Sequence, residues 1–194
     1  MNNTTDPTVA RVWFAEPDTL RAPHWVQRFD AVLDRGERRR MRRFLRPEDA
    51  HHFRVAHALL RHALSRECNR PPQDWCFCRG PRGRPGLAET DCTGDQGLCF
   101  NLTHTPGLVA CVVTRGGECG IDAEALRPRV NPLGIARRMF APDEAKELES
   151  LEGEALLRAF YRGWTLREAY VKARGTGLAF PTRRLGFEFR DDRL

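Results

Sequence analysis

The spacing of apolar residues changes along the chain between a helical repeat and the alternation of a strand, so the pattern predicts a mixed structure. A helix is predicted to begin at Pro47, because proline suits the first turn and the acids after it suit the positive end of a helix. It is predicted to end at residues 69–72, which include two prolines. Apolar residues recur at helical spacing between these points, at Phe53, Ala56, Leu60 and Leu64.

Other segments show the same helical repeat. A long helix is predicted from about Glu154 to Arg174, and Gly175 is well suited to end it. Further helices are predicted over residues 25–45, over 132–140 and from Pro142 onward.

Short or alternating apolar runs between turn residues predict strands. These runs lie at 9–15, at Trp75 and Phe77, at 99–102, at 108–114, at 119–124 and at 185–189. Residues 79–86 and 90–97 are rich in turn-forming residues and predict loops.

The order of these elements predicts the fold class. Helices and strands do not alternate strictly, which favours an α+β fold over a doubly wound parallel sheet. The segment Arg115-Gly116-Gly117 predicts a boundary between two lobes, residues 1–115 and 118–194, which share a loose plan of strand, helices and strand.

The length and composition fit a folded protein. The chain has 194 residues, of which 41% are hydrophobic, and this is enough for a core. No apolar run reaches the roughly 18 residues of a membrane-spanning helix, and the amino terminus lacks the features of a secretory signal. A cytoplasmic protein without a membrane segment is therefore expected.

The seven cysteines are an odd number and predict reduced thiols rather than a disulfide framework. Zinc ligation by Cys76, Cys78, Cys92 and Cys99 is an alternative, but their spacing differs from the usual C-x2-C pairs. The preferred interpretation is that these cysteines serve as small, buried apolar residues.

The basic residues are almost all arginines, since only Lys146 and Lys172 among the 32 are lysines. Lysine can give up a proton, whereas arginine stays charged, so the two lysines are candidates for chemistry. The net charge of +6 is compatible with a nucleic acid, an anionic cofactor or an acidic protein as partner. The arginine run at 38–43 is either a solvated helix face or a surface that binds phosphates.

Three acids are candidates for a metal site. Asp122 and Glu124 lie two residues apart in a predicted strand, so their side chains share one face. Glu168 and Lys172 lie four residues apart on the long helix. An exposed polar face of the strand would explain Asp122 and Glu124. An ordinary surface ion pair would explain Glu168 and Lys172. If the three carboxylates meet, however, they form an oxygen site suited to Mg²⁺, and Lys172 could reach a phosphate bound to that ion.

His104 is predicted to lie in the turn between two strands, with Asn101, Thr103 and Thr105 nearby. A packed or exposed histidine is the ordinary interpretation. The alternative is a phosphate pocket, because amide and hydroxyl groups surround the imidazole.

Four segments carry a family resemblance in a fixed order. They are RRFLRPEDAHHFRVAHALLRHAL (42–64), GRP (83–85) with FNLTHT (100–105), GIDAE (120–124) and WTLREAYVKARGTGL (164–178). The chain resembles a 4′-phosphopantetheinyl transferase of the larger, surfactin-synthetase-activating type, in which two similar α+β lobes form a pseudo-dimer. The last two segments, GIDAE and WTLREAYVKARGTGL, are the ones specific to this family.

The resemblance implies transfer of 4′-phosphopantetheine from coenzyme A to a serine of an apo acyl or peptidyl carrier protein, with release of adenosine 3′,5′-bisphosphate. The carrier would serve fatty acid, polyketide or nonribosomal peptide synthesis. The lobed plan resembles a pseudo-dimer within one chain and favours a monomer. No nucleic acid is expected as a partner, because the sequence shows neither aromatic residues interleaved with basic ones nor a known reading helix.

The resemblance assigns roles to individual residues. Asp122, Glu124 and Glu168 are implied to hold Mg²⁺, with Glu168 also the base for the serine proton. Asp122, Glu168 and Lys172 are the implied catalytic residues, with Lys172 on the leaving phosphate. The residues implied to bind coenzyme A are Arg40, His52, Arg84, Pro85, Thr103, His104 and Lys172.

The chain departs from the family pattern at several points. Thr103 takes the usual serine position and Arg167 the usual lysine position. His52 stands where an arginine is usual, and Glu37 replaces a basic residue, for which Arg38 or Arg39 could substitute. The chain stops at Leu194, soon after LGFEF, so a shortened second lobe is expected.

Two other functions are compatible with parts of the sequence. A nucleic-acid-binding module would account for the basic charge but leaves the three acids and Lys172 unexplained. A relative that binds carrier proteins without transferring a group is the second alternative.

Overall fold

The computed structural model describes residues 9–80, 83–88, 97–128, 131–177 and 180–189. The strands are β1 (Ala10–Ala15), β2 (Phe77–Arg79), β3 (Pro85–Leu87), β4 (Leu98–Thr105) and β5 (Leu108–Arg115). The helices are α1 (Pro23–Val32), α2 (Arg35–Met41), α3 (Pro47–Glu67), α4 (Pro132–Met139), α5 (Pro142–Glu149) and α6 (Gly153–Arg174). Short 3₁₀ turns lie at Pro17–Leu20, Pro72–Asp74 and Thr182–Arg184. This mixture confirms the α+β class. None of the described helices combines the length and apolar character that a bilayer crossing requires.

The first core lies between α3 and a sheet of three antiparallel strands in the order β1-β5-β4. β5 is the central strand and is buried along almost its whole length. Pro106 and Gly107 form the turn between β4 and β5, and the φ of +83° at Gly107 favours glycine there. The apolar side chains of this core include Leu60, Leu64, Trp75, Phe100 and Val113.

The second core lies among α4, α5 and α6. The rings of Phe140 and Phe160 stack with their centroids 5.5 Å apart, and Phe160 is fully buried. Ala136, Leu148 and Tyr161 complete the buried cluster. The two cores therefore form around different helices of the chain.

The predicted helix over 25–45 is wrong, because the chain leaves the helix at Leu33 and Asp34 and starts α2 at Arg35. Leu33 is buried in the core, and Asp34 caps α2. The Asp34 carboxylate accepts a hydrogen bond from the Glu37 backbone N–H at 2.7 Å, and the Glu37 carboxylate accepts one from the Asp34 N–H at 2.8 Å. This reciprocal capping box stabilises a second helix start.

The predicted strand over 119–124 is also wrong. The backbone N–H groups of this region donate to side chains of alternate residues of β4: Ile121 to Asn101 at 3.2 Å, Ala123 to Thr103 at 3.2 Å and Ala125 to Thr105 at 3.0 Å. We call residues 119–125, which lead from β5 toward α4, the crossing segment. Because its partners are side chains on one face of β4, and the donor and acceptor residues advance together in steps of two, the segment runs alongside β4 without forming a strand ladder.

Residues 185–189 show the predicted alternation of half-buried and exposed side chains, but they do not pair with another strand in the described ranges. Leu185, Phe187 and Phe189 are half-buried, and the residues between them are exposed. Within the described ranges, no strand lies beside them. Their backbone is instead bound by side chains of the helices, since Glu144 accepts from the Phe187 N–H at 3.3 Å and Arg167 donates to the Leu185 carbonyl at 2.8 Å.

Two predicted loops have different outcomes. The loop over 79–86 includes the start of β3, which pairs antiparallel with β2, and Trp75 precedes β2 instead of lying in a strand. Most of the predicted loop over 90–97 lies outside the described residues.

A buried arginine holds the first core to α2. Arg61 on α3 is fully buried and donates from Nε to Glu37 at 3.0 Å and from Nη2 to Asp34 at 3.1 Å. It also donates to the Trp75 carbonyl at 2.9 Å. The charge of Arg61 is thus buried with both anionic and carbonyl partners, as a buried cation requires.

The second core repeats this arrangement. Arg167 on α6 is 1% exposed and is paired with Glu144, which occupies the same third position of α5 that Glu37 occupies in α2. Arg167 also donates to the carbonyls of Met139 at 3.2 Å and Gly163 at 3.0 Å. In both cores, a buried arginine of the long helix therefore fixes the start of the short helix before it.

The crossing segment is pressed against α6 at Gly120. A Cβ placed on Gly120 would lie 1.9 Å from the Ala169 carbonyl oxygen and 2.6 Å from the Ala173 backbone nitrogen. Only glycine allows this approach of one backbone to another. The contact sets how close the acids that follow Gly120 come to α6.

We expect Arg167→Leu to lower the free energy of unfolding by about 3–5 kcal/mol, because it leaves the Glu144 carboxylate buried without its cation. The matched control is Arg158→Leu on the same helix, where the Arg158–Glu154 pair is 65% and 74% exposed and should contribute under about 1 kcal/mol. Urea denaturation measures both. Equal losses in the two variants would contradict the role of Arg167.

We expect Gly120→Ala to lower the free energy of unfolding by at least about 1–3 kcal/mol, because backbone atoms of α6 occupy the place of the new methyl group. Gly186→Ala is the control, since no heavy atom lies within 4 Å of its Cβ position. Denaturation curves that shift alike for both substitutions would disprove the close packing at Gly120.

Candidate active site

A buried carboxylate links the crossing segment to α6. The side chain of Asp122 is 9% exposed, and its Oδ1 lies 2.6 Å from Lys172 Nζ and 3.2 Å from the donating hydroxyl of Thr103. Lys172 also contacts the Ile121 carbonyl at 3.1 Å and Thr103 Oγ1 at 3.3 Å. The ammonium group of Lys172 thus uses its donors to hold Asp122 and the backbone beside it.

The second oxygen of Asp122 is buried and has no hydrogen-bond partner. Buried polar atoms in folded proteins nearly always have a partner, and a carboxylate oxygen can bind a cation in place of a hydrogen-bond donor. Asp122 Oδ2 therefore marks a position where an additional positive group fits.

The charges of Asp122 and Glu124 act on the carboxyl group of Glu168. It is half-buried on α6, one turn before Lys172. Burial raises its pKa, the charges of Asp122 and Glu124 raise it further, and Lys172 opposes them. Glu124 is exposed and accepts a hydrogen bond from the Trp164 indole at 3.2 Å. The three acids are thus close enough for their charges to interact.

The donor set of the three acids fits Mg²⁺, which prefers carboxylate oxygens. In the described ranges, however, no three Asp, Glu, His or Cys side chains are gathered as ligands of one ion. Lys172 instead neutralises Asp122. Shared metal ligation by Asp122, Glu124 and Glu168 stays a prediction.

Two histidines line a cavity of about 560 Å³ beside Glu124. His104 is exposed near the end of β4, rather than in the predicted turn, and His52 projects from α3. Partial burial and then the charges of His52 and Lys172 lower the pKa of His104. His52 Nε2 lies 4.0 Å from the Asp18 carboxylate. The structure thus brings the two predicted phosphate-binding imidazoles to one cavity.

Thr103, in contrast, is buried, and its hydroxyl is engaged with Asp122, Lys172 and the Ala123 N–H. In this arrangement it holds the side chains of Asp122 and Lys172 in place. Its predicted contact with a phosphate stays a prediction.

Arg84 and Pro85 lie on the wall of a cavity of about 330 Å³ that Glu168 and Lys172 also line. The guanidinium of Arg84 donates to the Ala173 carbonyl and, at 3.3 Å, to the Cys119 carbonyl. Arg84 therefore connects the end of α6 to the start of the crossing segment while it contributes positive charge to the cavity.

Arg40 lies at a neighbouring cavity of about 260 Å³, which shares Pro85 with the previous one. Its guanidinium is 5.2 Å from the centroid of the Phe53 ring. Arg79 lines the same cavity and was not among the predicted site residues. Its place next to the GRP motif was the one available signal in the sequence.

The thiol groups of the cysteines take no part in the contacts described above. None of the cysteines within the described ranges forms a disulfide, and Cys92 lies outside those ranges. Burial raises the pKa of Cys111 to about 12 and also raises the pKa of Cys119. Both thiols are therefore protonated, apolar side chains near neutral pH.

Comparison with known families gives two matches. Residues 118–193 match the model of the 4′-phosphopantetheinyl transferase superfamily. Residues 21–115 match the model of the 4′-phosphopantetheinyl transferase amino-terminal region.

Curated relatives carry the same description. A putative 4′-phosphopantetheinyl transferase, slr0495 of Synechocystis, is 33% identical over 87% of this chain and 66% of its own length. The 4′-phosphopantetheinyl transferase HetI of Nostoc is 37% identical over 79% of this chain and 64% of its own length. The transferase Sfp of Bacillus subtilis is 28% identical over 80% of this chain and 66% of its own length.

The chain thus spans about two thirds of the length of the curated relatives. The comparisons confirm the resemblance that the sequence motifs indicate. Since the two family models match residues 21–115 and 118–193, the chain belongs to the 4′-phosphopantetheinyl transferase superfamily.

Proposed function

We propose that this protein transfers 4′-phosphopantetheine from coenzyme A to a serine hydroxyl of an apo acyl or peptidyl carrier protein and releases adenosine 3′,5′-bisphosphate. The observation that carries the proposal is the electrostatic coupling of Asp122, Glu124 and Glu168 next to Lys172, at the wall of a cavity. The proposal is also supported by the family membership of the chain.

Asp122, Glu124 and Glu168 would hold the divalent ion. The partnerless buried oxygen of Asp122 supports this assignment. So does the repulsion among the three acids, which adds to the effect of burial in raising the pKa of Glu168. A bound Mg²⁺ would neutralise the pyrophosphate of coenzyme A.

Glu168 would accept the proton of the serine hydroxyl. Its half-buried position and raised pKa bring its basicity nearer to what proton transfer at neutral pH requires. The serine oxygen then forms a bond to the phosphorus that carries pantetheine, and the bond from that phosphorus to the oxygen of the adenosine 5′-phosphate breaks. Lys172 lines the same cavity and would neutralise the charge that develops on this leaving phosphate.

The remaining predicted residues would bind the donor. Arg40 and Pro85 line the neighbouring cavity, which shares Pro85 with the cavity at Glu168 and Lys172, while His52 and His104 line the cavity next to Glu124. Arg84 would add positive charge from the wall it shares with Glu168. Thr103 would act on the donor through Asp122 and Lys172, which it holds in place.

One chain would suffice for this site. Thr103 comes from β4, and Asp122 and Lys172 come from the crossing segment and α6 of the same chain. We therefore propose a monomer with lobes 1–115 and 118–194, a division supported by the two separate cores. A nucleic-acid-binding role is not favoured by the family membership. Loss of transfer with retained carrier binding would indicate the catalytically silent alternative.

The test is to incubate the protein with coenzyme A, Mg²⁺ and several apo carrier proteins, and to weigh each carrier by mass spectrometry. We expect a mass gain of one phosphopantetheine group on the carrier serine. A serine-to-alanine carrier and a sample with EDTA are the controls, and neither should gain mass. No gain on any carrier, with the protein still folded, would refute the proposal.

We expect Glu168→Gln to lower kcat by about 10²–10⁴-fold, because the amide cannot accept the serine proton. Glu154→Gln is the matched control, since Glu154 is 74% exposed on the same helix and forms only a surface ion pair. Circular dichroism should show folded protein for both. A kcat within twofold of the parent in Glu168→Gln would remove Glu168 from the mechanism.

A further inference from the structure

The side chain of Asn101 on β4 has hydrogen-bonding groups that the proposed mechanism does not use. Asn101 is 7% exposed, and its Oδ1 accepts a hydrogen bond from the Ile121 backbone N–H at 3.2 Å. A backbone N–H can only donate, so the atom that faces Ile121 is the amide oxygen, and the amide nitrogen points away from this contact. The two N–H groups of that nitrogen are therefore available to another partner.

Asn101 borders the cavity of about 330 Å³ that Glu168 and Lys172 also line. Among the described residues, no acceptor takes a hydrogen bond from the side-chain amide of Asn101. Enclosed amide groups in folded proteins nearly always have a partner. Because Asn101 lies on the wall of this cavity, a ligand within the cavity can supply the acceptor.

Asn101 and Lys172 hold the same residue of the crossing segment. Asn101 accepts from the Ile121 N–H, and the Ile121 carbonyl accepts from Lys172 Nζ at 3.1 Å. Lys172 Nζ also lies 3.3 Å from the hydroxyl of Thr103, which is two residues after Asn101 on the same face of β4. Two such residues are about 7 Å apart along a strand. A diphosphate beside Lys172 can therefore reach the Asn101 amide as well.

The other donors at this cavity already have partners within the protein. Lys172 Nζ has three such contacts, and Arg84 donates to two backbone carbonyls. The Asn101 amide, in contrast, donates to no acceptor in the described ranges. It is a neutral donor, so it adds no charge to the site. Its hydrogen bond to a phosphate oxygen would have a charged acceptor, and such bonds are stronger than those between neutral groups.

We infer that Asn101 is a further catalytic residue, whose side-chain amide donates a hydrogen bond to an oxygen of the phosphate that leaves with adenosine. This inference rests on the proposed function. As the serine oxygen bonds to the phosphorus that carries pantetheine, the bond from that phosphorus to the oxygen of the adenosine 5′-phosphate breaks, and its electron pair stays on that oxygen. The amide stabilises this negative charge beside Lys172, while both of its protons remain on the nitrogen.

The test compares adenosine 3′,5′-bisphosphate with adenosine 3′-phosphate, which lacks only the 5′-phosphate. Calorimetry measures the affinity of each ligand in EDTA and without a carrier, so that neither a metal ion nor transfer contributes. We expect Asn101→Leu to weaken binding of the bisphosphate by about 10- to 100-fold, the usual effect of a lost hydrogen bond to a charged group, and to leave binding of the monophosphate within about twofold of the parent.

Thr114→Val is the matched control. Thr114 is 5% exposed on the neighbouring strand β5, and its hydroxyl donates to the Gly117 carbonyl at 2.6 Å. The substitution removes a buried hydrogen bond between the sheet and the chain that leads into the crossing segment, but Thr114 does not line the cavity. Both affinities should stay within about twofold of the parent, because no donor to the ligand is lost.

A double-mutant cycle separates a direct contact from a role through Lys172. If Asn101 acted only by holding Ile121 and thereby Lys172, Asn101→Leu would cause no further loss of bisphosphate affinity in a Lys172→Met background, whereas a direct hydrogen bond predicts a further loss. If Lys172→Met does not fold, Asn101→Asp provides the comparison, because it keeps the acceptor for the Ile121 N–H and replaces the donors with an oxygen. It should weaken bisphosphate binding at least as much as Asn101→Leu.

In the transfer assay, Asn101→Leu should lower kcat at saturating coenzyme A by about 10- to 100-fold, because charge builds up on the leaving oxygen as its bond breaks. Equal losses of affinity for both ligands would overturn the inference. So would an unchanged kcat, no further loss in the double mutant, or unchanged bisphosphate binding in Asn101→Asp. Since binding is measured without a carrier, a selective loss of bisphosphate affinity in a protein that transfers nothing would refute the proposed function and leave the phosphate contact of Asn101 supported.

Discussion

The hydrogen bonds between the crossing segment and β4 are the constraint on which the site depends. Asn101, Thr103 and Thr105 lie on one face of β4 and satisfy alternate backbone N–H groups of the segment. The same polar side chains would otherwise be a costly feature next to a sheet core. On the opposite side, Gly120 lets the segment touch the backbone of α6. The carboxylates of the segment are consequently held against the helix that carries Glu168 and Lys172.

The second feature that organises the fold is the burial of charged side chains together with partners of opposite charge. Arg61 and Arg167 are nearly inaccessible to solvent, and each is paired with a glutamate at the start of a short helix. Such pairs contribute little net stability, because desolvation offsets their attraction, but the loss of one partner is costly. They fix the direction of α2 and α5 relative to the long helices. Through α2, this also fixes where Arg40 meets its cavity.

The charges of the candidate site are compensated only in part. Lys172 neutralises one oxygen of Asp122 and leaves the other without a partner. Burial and then the charges of Asp122 and Glu124 raise the pKa of Glu168. At the next cavity, Arg40 and Arg79 are an excess of positive charge. A cation beside the free oxygen of Asp122 would complete the first group of charges. This partial compensation distinguishes the site from the closed networks around Arg61 and Arg167.

The sequence by itself determined the features that depend on a few neighbouring residues. Proline starts α3 and Gly175 ends α6 as predicted, and even the capping box at Asp34 and Glu37, which breaks the predicted helix over 25–45, could have been recognised from its spacing. The motifs also identified the family. Only the tertiary structure decided that the crossing segment is bound by side chains of β4, that residues 185–189 have no strand partner in the described ranges, and that Arg79 and Arg40 line one cavity. Helix ends are set by hydrogen bonds within one or two turns, whereas these arrangements depend on partners from 18 to 69 residues away, as between Arg167 and Leu185 or Thr103 and Lys172.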